Sequence, residues 1–120
     1  MLDTTGTLHK VDIGEFITEA GATIPDVTIA YQAWGTFHGN NLPICNNLIV
    51  VEHALTGDSN VVSWWDGVVG PGKALDTDKY CVLCTNALGG CMGSTGPTSL
   101  APDGNHWGSR FPALSIRDLV

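Results

Sequence analysis

The sequence predicts an α/β protein in which an antiparallel hairpin is followed by parallel strands. Three stretches lead there. Residues 24–34 alternate, with Val27, Ile29, Tyr31 and Ala33 on one side and Thr28, Ala30, Gln32 and Trp34 on the other, the pattern of a hairpin strand with one better-buried face. Leu48-Ile49-Val50-Val51 is a short unbroken apolar run rich in β-branched residues, which fits a central strand buried on both faces. Residues 80–87 repeat that continuous pattern.

Taken in order, residues 1–10 read as a loose lead-in, and Val11 to Thr18 as a first strand. Glu19-Ala20-Gly21-Ala22 is the turn into its partner. Gly35 to Asn47 is a loop, marked by Gly39-Asn40-Asn41 and Pro43. The apolar strand then runs over 48–53, and His53 to Asp58 is a polar turn leaving its carboxyl end, where ligands sit in open α/β sheets. Asn60 to Asp66 holds enough for one or two helical turns before Gly67, Gly70, Pro71 and Gly72 stop them. Asp76 to Lys79 is a turn, with both acids read as solvated, and the second apolar strand follows. From Leu88 to Leu114 the chain is a glycine-rich loop; loops of that length are usually functional. Ser115-Ile116-Arg117-Asp118 is a capping box in Asp form that announces a helix. Strands buried on both faces need helical layers above and below, and no stretch here has the periodicity for them. Either the covering layers come from another chain or this is the front part of a longer protein, and the second is expected.

Composition narrows the function. With 12 acids against 5 bases, net charge −7, the chain lacks the basic footprint of a nucleic-acid binder. No apolar run approaches the roughly 18 residues of a membrane span, and no signal peptide is visible, so a cytoplasmic protein is expected. Cys81 and Cys84 form a C-x-x-C, but inside an apolar strand, where residues three apart point to opposite faces. No second pair completes a tetrahedral set. The reading is therefore no metal, and buried thiols acting as small hydrophobes.

Seven motifs stand in order: residues 30–35 (AYQAWG), 53–58 (HALTGD), 64–67 (WWDG), 70–74 (GPGKA), 86–91 (NALGGC), 93–97 (GSTGP), and Phe111-Pro112 through Ile116-Arg117-Asp118. Together they resemble the N-terminal part of the homoserine O-acetyltransferase family, a branch of the α/β-hydrolase fold, from about Phe16 onward. The resemblance implies that residues 1–120 are a fragment of a single α/β-hydrolase domain, ending before the nucleophile elbow. It implies transfer of acetyl from acetyl-CoA, a co-substrate and not a bound cofactor, to L-homoserine in methionine biosynthesis. The route is ping-pong through a serine on a G-x-S-x-G elbow, followed in sequence by Asp and His. None of Ser59, Ser94 and Ser109 has glycine at both required offsets, so the triad is expected outside this chain, which alone should be inactive. A homodimeric parent is a further expectation. Asn60 and Ser63 depart from the family pattern, standing where His and Gly are expected.

What carries over is one oxyanion donor, the backbone N–H of Leu55 in the loop after the strand. Thr56 and Gly57 are candidate substrate-contacting residues, Thr56 with the alternative of bonding the turn, and Gly57 keeps the turn tight. His53 reads as a hydrogen-bonded structural residue and not a base. Trp64 and Trp65 read as core, with an acyl or pantetheine channel as the alternative. The 89–96 glycines lack the phosphate-loop lysine and dinucleotide spacing, so a shaped loop near the active site is expected. A serine-directed or succinyl-using acyltransferase, an esterase of the same fold, or a non-catalytic scaffold remain open at this point.

Overall fold

The computed structural model describes residues 2–38 and 45–120; the loop markers Gly39, Asn40, Asn41 and Pro43 lie outside the described residues. Strands β1 (His9–Ile17), β2 (Thr23–Gly35), β3 (Leu48–Val51) and β6 (Cys81–Thr85) form a sheet in the order β1-β2-β6-β3. The short strands β4 (Val69–Gly70) and β5 (Leu75–Asp76) pair in parallel as a second sheet. Helix α1 is one turn, Val61–Trp64. Two 3-10 turns, Gly108–Arg110 and Ile116–Asp118, complete the regular structure among the described residues.

The hairpin is closed at Thr18, whose N–H donates to Ala22 O at 2.8 Å, with Gly21 taking the positive φ of +89° that the turn needs. β2 pairs with β6 antiparallel from Tyr31↔Thr85 to Gly35↔Cys81, and β3 pairs with β6 in parallel from Leu48↔Cys81 to Val51↔Cys84. The hairpin-then-parallel order expected from the sequence is therefore present.

The chain divides within β2 into two compact units, one from the residues up to His9 together with Tyr31–Thr85, the other from Lys10–Ala30 with Asn86–Val120. The first unit packs Val51, Val61, Val69, Val82 and Cys84 as its core, with Trp34, Ile49, Val62 and Leu75 against them. Asn47 pins the start of β3: its Nδ2 donates to Thr36 O at 2.6 Å and Lys79 O at 3.0 Å, and its Oδ1 accepts from His38 N. The second unit packs Ile24, Val27 and Leu88, with Phe16, Ile29, Trp107, Phe111, Leu114 and Leu119 around them.

Two expectations are corrected. Among the described residues β3 lies at the edge of the sheet and is not buried on both faces: Ile49 and Val51 face the core, while Leu48 is 40% and Val50 54% exposed. β6 is hydrogen-bonded on both sides, with Cys81, Val82 and Cys84 inaccessible and Leu83 and Thr85 half-buried. Nor does β2 bury one face: Ile24, Val27, Ala30 and Ala33 are all buried, and they come from both sides of its alternation. Within the second unit the 86–95 segment explains this. Asn86 N donates to Ala30 O, Ala30 N to Ser94 Oγ at 2.9 Å, Thr95 N to Thr28 O, and Thr28 N to Thr95 Oγ1 at 2.8 Å. The hydroxyls of buried Ser94 and Thr95 thus receive amides that a neighbouring strand would otherwise satisfy.

The 115–118 capping box is formed, with Ser115 N donating to Asp118 Oδ2 at 2.8 Å, though the segment it opens is a 3-10 turn. Among the described residues no helix is long and apolar enough to cross a membrane.

Candidate active site

β3 delivers the chain into an extended pair, Glu52-His53, and then into a tight turn. Gly57 N donates to Ala54 O at 2.8 Å, which closes an i to i+3 turn with Leu55 and Thr56 as its central residues. His53 Nδ1 lies 2.7 Å from the same carbonyl. A carbonyl can only accept, so Nδ1 carries the proton and His53 braces the turn, the structural role read from sequence. Gly57 supplies space: a Cβ there would stand 3.1 Å from His53 Cβ and 3.2 Å from Ala54 O.

Leu55 sits at the tip with its side chain wholly exposed. Neither its N–H nor that of Thr56 has a hydrogen-bond partner among the described residues. Two successive amides are thus left open at the carboxyl end of a parallel strand. Beside them is a cleft of about 380 Å³ lined by Ala54, Thr56, Gly57, Asp58, Ser63 and Trp64.

The tryptophans are not core, contrary to the sequence reading. Trp64 and Trp65 are 39% and 43% exposed and stack on each other at 5.6 Å. A one-turn helix offers a single fully inward position, and Val61 takes it. Trp64 instead forms one wall of the cleft, anchored by Nε1 donating to Asp58 O at 3.0 Å. Sequence reasoning passed over Asp58, which faces the cleft; Ser59, weighed there only as an elbow serine, is buried. Burial, with the charges of Glu52 and Asp58 adding to it, pushes the Cys84 thiol up to about 11, so it stays protonated at neutral pH. Cys45, Cys81, Cys84 and Cys91 are all free; Cys81 and Cys84 are buried as read, Cys45 is half-buried and Cys91 exposed. No group of three or more His, Cys, Asp or Glu side chains suited to a metal occurs among the described residues.

The serines of the imperfect elbow motifs are committed elsewhere. Ser59 Oγ donates to Gln32 Oε1 at 2.6 Å, and Ser94 Oγ donates to Asn86 O at 2.5 Å while accepting from Ala30 N. In the second unit the 89–96 loop folds on itself, Gly89 N donating to Thr95 O and Gly96 N to Ser99 Oγ. A Cβ on Gly96 would fall 2.2 Å from Gly90 O, so the glycines permit a backbone crossing, and the amides of Gly89, Gly90, Thr95 and Gly96 are spent on internal hydrogen bonds.

A hairpin leading into parallel strands, with open amides on the turn after β3, has the fold of the N-terminal part of an α/β-hydrolase. Esterase E22 superposes with a TM-score of 0.83 at 30% identity, covering 94% of this chain and 34% of that one. Homoserine O-acetyltransferase from Bacillus anthracis gives 0.81 at 28% identity, covering 98% and 34%. Within that class the chain is similar to homoserine O-acetyltransferases: that of Corynebacterium diphtheriae is 72% identical over all 120 residues, 31% of its own length. This chain spans about a third of the length of the curated relatives it matches. No protein-family model matches it.

Proposed function

We propose that this chain is the oxyanion-holding part of a homoserine O-acetyltransferase, moving acetyl from acetyl-CoA to the hydroxyl of L-homoserine in methionine biosynthesis. The observation that carries the reading is the turn after β3, whose Leu55 and Thr56 amides are open beside a cleft. The identity to the Corynebacterium diphtheriae enzyme supports the choice of substrates.

In this mechanism a serine supplied from outside residues 1–120 adds to the thioester carbonyl as a base takes its proton. The new C–O bond moves the carbonyl electrons onto oxygen. Leu55 N–H donates to that oxygen, together with the amide that follows the nucleophile. Collapse breaks the C–S bond and releases CoA. The homoserine hydroxyl then adds to the acyl-serine as the base takes its proton; the same oxyanion collapses with cleavage of the acyl–serine C–O bond, the serine oxygen regains the proton, and the acetyl ester is released. Thr56 and Gly57 border the acyl group, and the Trp64 face shields it from water. Acetyl-CoA is a co-substrate, and the steps need neither a metal nor a bound cofactor.

The test uses a full-length hybrid in which these 120 residues replace the matching segment of the Corynebacterium diphtheriae relative. The expected product is O-acetylhomoserine, formed at the expense of acetyl-CoA and detected by mass spectrometry. A second reading, an esterase, is favoured by the superposition on esterase E22. Hydrolysis of acetyl esters with no dependence on homoserine would select it. A folded hybrid doing neither would point to a scaffold.

A further inference from the structure

We propose that Gln32 is a positioning residue for the oxyanion turn, acting through Ser59. This rests on the functional reading above for its meaning, but on separate contacts for its evidence. The Gln32 amide bridges two pieces of backbone within the first unit. Its Nε2 donates to Gly6 O at 2.7 Å, and its Oε1 accepts from Ser59 Oγ at 2.6 Å. The orientation of that amide is forced, because the Gly6 carbonyl can only accept and so takes the nitrogen. Gly6 is itself held: its N–H donates to Ala33 O at 2.8 Å, and at φ +81° it lies so close to Trp34 that a Cβ would meet Nε1 at 2.3 Å.

At the other end Ser59 is 1% exposed, and the preceding Asp58 carbonyl receives Trp64 Nε1 at 3.0 Å. The loop between β3 and α1 is therefore a span with two supports. Val51 in β3 holds one end, and the Gln32–Ser59 bond ties the other to β2. The tip, Leu55-Thr56, makes no backbone bonds among the described residues, so the direction of its amides follows from those supports. An oxyanion donor misplaced by a fraction of an ångström loses much of its effect.

The measurement is pre-steady-state acylation of the full-length hybrid by a chromogenic acetyl ester, which reports the oxyanion site whatever the final acceptor. Ser59→Ala and Gln32→Leu should each slow acylation about tenfold with KM for the ester little changed. The double variant should be no slower than the worse single one, since both remove the same bond. Gln32→Glu, which keeps an acceptor for Ser59 but turns a second acceptor toward the Gly6 carbonyl, should recover only part of the loss. An unchanged rate in Ser59→Ala, or losses that multiply in the double variant, would overturn the proposal. Ester acylation without transfer to homoserine would sink the substrate assignment alone. If the hybrid acylates nothing, the Trp64 indole N–H resonance decides: it shifts in Ser59→Ala if the bond holds the loop, and stays in place if it does not.

Discussion

Leu55→Pro isolates the proposed oxyanion donor from almost everything else the residue does. Proline has no N–H, so the substitution deletes the donor outright. The Leu55 side chain is fully exposed and its amide bonds nothing among the described residues, so no packing and no internal hydrogen bond is lost. Leu55 is also the second residue of the turn closed by Gly57 N donating to Ala54 O, the position where proline's φ near −65° is favoured. Folding stability should therefore hold or rise by about 0.4–1 kcal/mol through a stiffer unfolded chain. Loss of one oxyanion donor is worth about 3 kcal/mol, or roughly a hundredfold or more in turnover. The two effects point in opposite directions, which makes the pair diagnostic. The assay is turnover of the full-length hybrid alongside its thermal midpoint, with Leu55→Ala as the control that keeps the amide. An unchanged rate at an unchanged midpoint would remove Leu55 from the mechanism.

Gly57→Ala must push its new methyl against His53 Cβ and Ala54 O, so the turn opens by a few tenths of an ångström. A stability loss of about 1 kcal/mol with a several-fold fall in turnover is expected, read by denaturant titration and initial rates. His53→Gln should cost about 1 kcal/mol of stability through the lost brace on Ala54 O, yet leave the pH–rate profile in place. A vanished alkaline or acidic limb would instead make His53 a proton carrier. In the second unit, the hydrogen bond from Arg110 first, then that from Asn105 N–H, holds the Asp103 carboxyl down to about 2. A folded value below the unfolded one means the stabilisation is complete above the ordinary carboxylate range, near pH 4, and fades as pH falls through 2. Arg110→Gln should move the Asp103 NMR titration midpoint up toward the ordinary value.

The sequence by itself determined the four strands of the main sheet and the turns at Gly21 and Gly57, but not the short strands β4 and β5. Alternation in 24–34, the apolar runs at 48–51 and 80–87, and the Gly21 and Gly57 turns are short-range signals, legible because each arises from residues a few places apart. Tertiary structure decided which strand is central. Leu48-Ile49-Val50-Val51 and Cys81-Val82-Leu83-Cys84 look alike as text, yet only the latter is hydrogen-bonded on both sides. It also turned the tryptophans outward, set Ser94 and Thr95 against β2, and joined Gln32 to Ser59 across 27 positions. Periodicity tells a residue which neighbours it shares a side with, but burial and hydrogen-bond partnership belong to whatever the folded chain brings against that side.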